Sequence, residues 1–299
     1  MSYDIVYILK EGIDSEELRY SLRSVCKNFD YNQIWFYCGC PKDIKPDKYV
    51  PFKQKGYNKL DKVHSTFKAI CENDEITSNF YLFNDDFFIM KPYKQNIHLS
   101  NGTLKHLAYL IEQNINKESF YVQYLKYTSQ ILDEKGYDTL SYEVHAPILI
   151  NREQALKVLN QFPGNTQFRS VYGNYYSIGG RLIQDPKIDV LDIMPNENVT
   201  LLSTVEESFK NGLVGSFIRN TFPEPCQYEI IKADKQKTVL AKKKQVEESK
   251  ELIESIKPIE STELFETEAK KEKFETWKEK LYNIFRKIKK DYFTFPYEE

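Results

Sequence analysis

Apolar and polar residues fall in alternating blocks along the first hundred positions. Asp4-Ile5-Val6-Tyr7-Ile8-Leu9 is an apolar run closed by Lys10-Glu11-Gly12, the pattern of a buried strand. Ser15 followed by Glu16 and Glu17 opens a helix with a capping residue and acids in its first turn. Leu18, Leu22 and Val25 give that helix an apolar face, and Arg19 and Arg23 lie four apart on another side. Ile34 to Tyr37 predicts a second strand, turned by Gly39-Cys40-Pro41, then a helix from His64 to Asn73 and a strand from Phe80 to Phe83. Strand, helix, strand, helix, strand predicts an α/β fold, a parallel sheet with helices packed on its faces.

Further along, residues 100–140 are polar with Leu104, Leu107, Leu110 and Ile111 at helical spacing. Tyr142 to Ile150 predicts a return to the sheet, followed by a helix from Arg152 to Leu159. The Gly- and Tyr-rich stretch from Tyr172 to Gly180 predicts an ordered loop near the site, and 188–193 and 198–202 predict late strands. After Glu229 the composition changes. Residues 233–299 are rich in Lys and Glu without glycine, which predicts a charged helical extension to a domain spanning 1–232. Phe274, Trp277, Leu281, Ile284, Phe285, Ile288 and Tyr292 share one helical stripe there, suited to packing on the body, to a second copy, or to a membrane surface.

Candidate chemistry concentrates in Phe80-Tyr81-Leu82-Phe83-Asn84-Asp85-Asp86-Phe87-Phe88-Ile89, which reads as a strand buried on both faces and interrupted by carboxylates. Buried acids persist where a cation, a hydrogen-bond set or a catalytic task compensates them. Two hard oxygen ligands on one turn suit Mg²⁺ or Mn²⁺ shared with a substrate's phosphates. The plainer alternative is a strand ending at an Asn-Asp turn, with both acids facing water. Ligands of parallel sheets sit at the carboxyl ends of strands, where these acids fall. His145, two residues from Glu143 on the same expected strand face, is the candidate base; Arg19, Arg23, Arg169 and Arg219 are candidate phosphate partners.

Charge, at −2 over 299 residues, supplies no global field toward nucleic acid or an anionic surface. No run of about 18 apolar residues exists, and Met1-Ser2-Tyr3-Asp4 leads directly into the first strand, so the chain is expected to be cytoplasmic. Five cysteines without framework spacing fit a reducing compartment. No phosphate-loop glycine pattern and no acyl-transfer elbow is present.

Glu17-Leu18-Arg19-Tyr20-Ser21-Leu22-Arg23-Ser24-Val25 resembles the start of the second conserved region of the Stealth family. These are sugar-1-phosphate transferases, among them bacterial capsule polymerases and the catalytic subunit of the lysosomal-enzyme N-acetylglucosamine phosphotransferase. Phe83-Asn84-Asp85-Asp86 resembles the close of that region, and His145 with Pro147 resembles the histidine of the third, with Phe168-Arg169-Ser170 in its continuation. Leu202-Ser203-Thr204-Val205-Glu206-Glu207-Ser208-Phe209 stands where the short fourth region would fall. The chain is also similar to small phage and bacterial glycosyltransferase-like proteins that share the Glu143-Val144-His145 and Tyr172-Gly173-Asn174-Tyr175-Tyr176 runs.

The resemblance implies a Rossmann-like, nucleotide-sugar-transferase (GT-A-like) core, a UDP-type donor, a divalent cation, and a glycan or other hydroxyl acceptor. It implies that Asp85 and Asp86 hold the metal or the diphosphate, that Asp86, His145 and Arg169 act in catalysis, His145 as base or phosphate contact and Arg169 by neutralising charge on the transferred group, and that Asp4, Glu17, Arg19 and Ser21 line the donor pocket; Arg219, by residue type alone, is a further candidate at the donor. Two other expectations stand beside it: a non-catalytic binding protein that keeps the fold, and a DNA-modifying sugar transferase.

Overall fold

The computed structural model describes residues 2–230 except 13, 95 and 115–118. Met1–Ile231 forms one compact unit. The helical reading of 233–299 and the membrane or self-association contact suggested for it lie outside the described residues.

The first half contains β1 (Asp4–Leu9), α1 (Glu16–Asn28), β2 (Ile34–Cys38), β3 (Lys48–Val50), α2 (Lys59–Glu72), β4 (Asn79–Phe83), β5 (Phe87–Ile89) and β6 (Leu99–Ser100). Then follow α3 (Leu104–Asn114), α4 (Phe120–Glu134), β7 (Ile148–Asn151), α5 (Arg152–Gln161) and α6 (Phe168–Tyr175). The last elements are β8 (Arg181–Leu182), β9 (Lys187–Ile188), β10 (Leu201–Thr204), α7 (Glu206–Asn211) and α8 (Leu213–Thr221). The protein is therefore mixed α/β. Its central sheet runs β3-β2-β1-β4-β7 and is parallel except for β7, which pairs antiparallel with β4.

Two-residue periodicity sends the side chains of the central strands to two cores. Ile5, Tyr7 and Leu9 of β1, Ile34 and Phe36 of β2, and Tyr81 and Phe83 of β4 pack with Leu18, Leu22 and Val25 of α1. Val6, Trp35, Tyr37, Phe80 and Leu82 point the other way, toward Phe67 and Ile70 of α2 and apolar residues of α4, α5 and α6. Both layers are apolar because the strands are covered on both faces. The edge strand β3 carries Lys48 and an exposed Tyr49, which discourages further pairing. Ser15 caps α1 as its sequence predicts, accepting from the Leu18 N–H. At the strand ends, Gly39 lies so close to β1 that a Cβ there would sit 2.4 Å from the Lys10 carbonyl oxygen.

β1 connects through α1 to β2 on one side and has β4 on its other side, so the strand order reverses between β1 and β4. Such a reversal opens a crevice at the carboxyl ends of the two strands. It is there that Asn84-Asp85-Asp86 carries the chain out of the sheet.

Several sequence expectations are corrected. Phe80 to Ile89 is two strands in two sheets, because β5 leaves β4 at the acidic turn and pairs antiparallel with β10, which pairs parallel with β9. Of Tyr142 to Ile150, only Ile148–Ile150 joins the sheet. Tyr172 to Tyr175 is helical rather than loop, since Tyr172 and Val171 bury against the second core and Asn174 ties back to both Leu140 and Ser170. The late strands are Lys187–Ile188 and Leu201–Thr204, and Leu191, Ile193 and Met194 are exposed. Among the described residues no helix is long and apolar enough to cross a membrane.

Candidate functional site

Three carboxylates, Glu17 of α1 and Asp85 and Asp86 of the turn between β4 and β5, feel one another's charge at the β1–β4 crevice. Asp86 immediately precedes β5; its Oδ2 accepts from Ser203 Oγ of β10 at 3.1 Å and faces Lys187 Nζ of β9 at 3.5 Å. Its Oδ1 is buried with no hydrogen-bond partner. Asp85 is pushed above the usual carboxylate range by burial and by the charge of Asp86, against hydrogen bonds from its own backbone and Ser15 and the charge of Lys187. Glu17, in the first turn of α1, accepts from Thr204 Oγ1 of β10. Burial raises Glu17 to about 7, with Asp86 and Asp85 adding to the effect and Thr204 and Lys187 opposing it. One lysine thus stands among three acids.

The raised Glu17 has a consequence for stability. Its carboxyl ionises near 4.5 when exposed and near 7 in the fold. Between these values the folded state holds a proton that the unfolded state has released, so stability falls as pH rises through that window. Glu17→Gln keeps the acceptor for Thr204 and removes the charge. Its melting temperature should match wild type at pH 5 and exceed it at pH 8, where the gain in stability is on the order of 1–3 kcal/mol after allowing for partial solvent screening. Scanning fluorimetry at the two pH values checks this; a variant with an unchanged pH slope would contradict the assigned cause.

A second group packs on Phe87, the residue that follows Asp86. His145 Nδ1 lies 2.9 Å from Asp185 Oδ2 and 3.1 Å from Oδ1, and its ring meets Phe87 edge-on with centroids 6.4 Å apart. A carboxylate acceptor at Nδ1 places the imidazole proton there and leaves Nε2 to act as acceptor. Burial alone would raise Asp185. The His145 hydrogen bond and charge, joined by the backbone N–H groups of Lys187 and His145, hold it below the usual carboxylate range. The Lys187 N–H reaches Asp185 Oδ1 at 3.1 Å. The two residues before β9 thereby link the imidazole to the lysine that faces Asp86.

Arg169 supports this group from behind. Its Nη1 donates to the Val144 carbonyl at 2.7 Å and its Nη2 to the Ala146 carbonyl, the carbonyls of the two residues flanking His145. Its guanidinium lies 5.9 Å from the centre of the Phe87 ring. Burial lowers Arg169, while Glu143, Asp185, Tyr121 and Asp86 supply opposing negative potential. Its terminal nitrogens are thus engaged with the loop that carries His145. That geometry suits a positioning role rather than direct charge neutralisation on a transferred group.

The acid beside His145 is a second correction. Residues 142–147 lie outside any strand, so Glu143 and His145 do not share a strand face. Glu143 Oε1 accepts from Ser170 N–H and Ser170 Oγ at 3.1 and 2.9 Å, which caps the first turn of α6. Asp185 takes the place expected for Glu143. No local spacing announces it; Gln184-Asp185-Pro186 is a pre-proline loop distant in sequence.

Of the remaining candidates, Asp4 lies at the wrong end of the sheet. It pairs in register with Phe80, about 17 Å along the strand from the acidic turn, and is fully buried. It binds Trp35 Nε1, Asn32 Nδ2 and the Thr77 N–H, and so fastens the amino-terminal ends of the strands. Ser21 is buried between Tyr7 OH at 2.9 Å and the Phe87 carbonyl at 2.6 Å, where it fixes the backbone after Asp86 instead of lining a pocket. Arg19 pairs with Asp14 and Asp43. Arg219 donates to the Phe209 and Lys210 carbonyls at the end of α7 and lies over the Phe209 ring. Arg23 is taken up by Glu229. The structure therefore couples Glu17 with Asp85 and Asp86 by charge, sets His145 and Arg169 against Phe87, the residue after Asp86, and holds Asp4, Ser21, Arg19 and Arg219 in the contacts just described.

Among the described residues, no group of three or more His, Cys, Asp or Glu side chains is arranged to hold a metal ion unaided. Asp85 and Asp86 fit a cation in another sense. The buried Oδ1 of Asp86 lacks a partner, and burial, with repulsion among the acids adding to it, raises both Asp85 and Glu17. A positive charge would relieve both conditions, and Mg²⁺ and Mn²⁺ ordinarily take one or two carboxylates with phosphate and water as their other ligands. No protein-family model and no curated protein matches the chain.

Proposed function

We propose that the protein is a nucleotide-sugar-dependent transferase that moves a sugar or a sugar-1-phosphate from a UDP-type donor to an acceptor hydroxyl. The observation that carries this reading is the pair Asp85 and Asp86 at the β1–β4 crevice, with Asp86 Oδ1 buried and unpartnered and the His145–Asp185 pair packed on the next residue, Phe87. The order β3-β2-β1-β4 with an antiparallel last strand supports a Rossmann-like, GT-A-like core, in which a donor lies across the strand ends.

On this reading Asp85 and Asp86 would hold Mg²⁺ or Mn²⁺, which would offset the charge of the departing nucleotide's phosphates. Lys187 adds a cation beside the same phosphates. Asp185 holds Nδ1–H of His145, and Nε2 takes the proton of the attacking hydroxyl. Arg169 keeps the two peptides around that imidazole in place. Glu17 and Thr204 form the wall of the crevice beneath the donor.

A thermal-shift panel of nucleotide sugars with and without Mg²⁺ or Mn²⁺ tests the proposal. Stabilisation that needs nucleotide sugar and cation together is the expected result, at roughly 2.7 kcal/mol for ligand at 100 times Kd. Stabilisation by neither pair, across UDP-, GDP-, CMP- and dTDP-linked sugars, would remove it.

A further inference from the structure

The far end of α1 carries a second chemical group that the crevice does not use. Residues 222–229 return over Arg23, Cys26 and Tyr31. Arg23 grips this return with Nε and Nη2 on the two Glu229 carboxylate oxygens, at 2.6 and 2.7 Å, and with Nη1 on the Phe222 carbonyl at 3.0 Å. Tyr31 OH lies 3.4 Å from Cys26 Sγ and accepts from Gln227 Nε2 and Tyr228 OH at 3.3 and 3.2 Å. Glu229 Oε1 fixes the Cys226 N–H at 2.9 Å. Between these anchors lie the Cys26 and Cys226 side chains, both free, both partly exposed, packed against the same apolar cluster and interacting with each other.

We propose that Cys26 and Cys226 are a redox-active thiol pair that closes to a disulfide on exposure to a low-molecular-weight disulfide such as oxidised glutathione. The Arg23–Glu229 ion pair, the Glu229 bond to the Cys226 N–H and the Tyr31 contacts to Cys26 and Tyr228 hold the return segment against α1 and bring the two cysteines together, the juxtaposition that a disulfide requires. The pair is also polarised. The hydrogen bond from Cys226 lowers the Cys26 thiol against the effect of burial, with help from Tyr31, while Cys226 is driven up. Burial raises Cys38, Cys40 and Cys71, the last to about 12, which leaves Cys26 as the preferred nucleophile.

In the first step the Cys26 thiolate attacks one sulfur of oxidised glutathione, breaks its S–S bond and releases one glutathione thiolate. Cys226, giving up its proton, then attacks the Cys26 sulfur and expels the second glutathione. Two protein thiols are oxidised by two electrons, and one glutathione disulfide is reduced to two thiols. The new bond staples the return segment to α1 and closes a very long loop, the case in which a crosslink restricts the unfolded chain most. This inference does not depend on the transferase reading.

The test uses the full reduced chain in glutathione buffers of increasing oxidised fraction. Thiol titration should fall by two of the five cysteines, peptide mapping should show a Cys26–Cys226 link, and dithiothreitol should reverse both. The melting temperature should rise by roughly 5–10 °C on closure. Cys226→Ser should stop with one glutathione on Cys26, and Cys26→Ser should take up none at Cys226. Five thiols that persist under full oxidation, a link between other cysteines, or wild-type protein that stops with glutathione on Cys26 would each overturn the proposal. The wild-type map decides alone if a serine variant fails to fold.

Discussion

Asp86→Asn should fold as well as the wild type and turn over a nucleotide-sugar donor at least about a hundredfold to a thousandfold more slowly, the scale of losing one electrostatic anchor of a transition state. The two halves of this expectation have separate causes. In the absence of ligand, Asp86 is an acid among acids: its charge raises Asp85 and Glu17, and one of its oxygens is buried without a partner. Asparagine is nearly the same shape, keeps an oxygen for Ser203 Oγ, and relieves the repulsion. What it gives up is the 3.5 Å pair with Lys187, a partly exposed contact that contributes at most about 1 kcal/mol. Stability should therefore hold or rise slightly. Turnover should not, because a neutral amide is a poor ligand for a hard cation. Donor hydrolysis measured in Mg²⁺ and Mn²⁺, beside a melting curve, separates the two. Normal turnover by a stable Asp86→Asn protein would end the metal-assisted reading; lost turnover with lost folding would assign Asp86 to structure.

The sequence showed this acid and concealed its surroundings for a physical reason. A run of apolar residues that stops at Asn84-Asp85-Asp86 is a local signal, and strand-helix alternation before it fixes which end of the sheet the acids occupy. The same run hides the fact that Phe87 to Ile89 enters another sheet, because a strand buried on both faces looks alike in either. Ser203 and Thr204 lie in a segment that stood out only through its family resemblance; their hydroxyls reach Asp86 and Glu17 only once β10 pairs with β5. The arginines were misplaced for the converse reason. A guanidinium on a polar helix face reads as available, yet Arg19, Arg23 and Arg219 are each taken up by partners from elsewhere in the chain, whose positions are set by tertiary packing. Asp4 opened the most legible strand and lay at its wrong end, since direction along a parallel strand decides which residues meet a ligand.

Asp185→Asn should lower kcat by roughly 100-fold to 10,000-fold, the usual worth of a positioned general base, with KM for the donor little changed. Asp185 acts through His145, whose ring it holds against Phe87, the residue after Asp86. Its two oxygens lie 2.9 and 3.1 Å from His145 Nδ1, and one of them also receives the Lys187 N–H. Because Asp185 is held ionised below the usual carboxylate range, it is an obligate acceptor at working pH and dictates that Nδ1 carries the proton. Asparagine can keep the bond from the Lys187 N–H, so the fold of the loop survives. It can also present N–H to Nδ1, which moves the imidazole proton to Nε2 and removes the lone pair that would accept from the acceptor hydroxyl. His145→Ala should fall as far, and the double variant little further, because two residues that act as one unit lose their function together. Additive losses in the double variant would separate the pair and leave Asp185 as a structural contact. Full activity of both single variants would leave the His145 imidazole with no part in the chemistry.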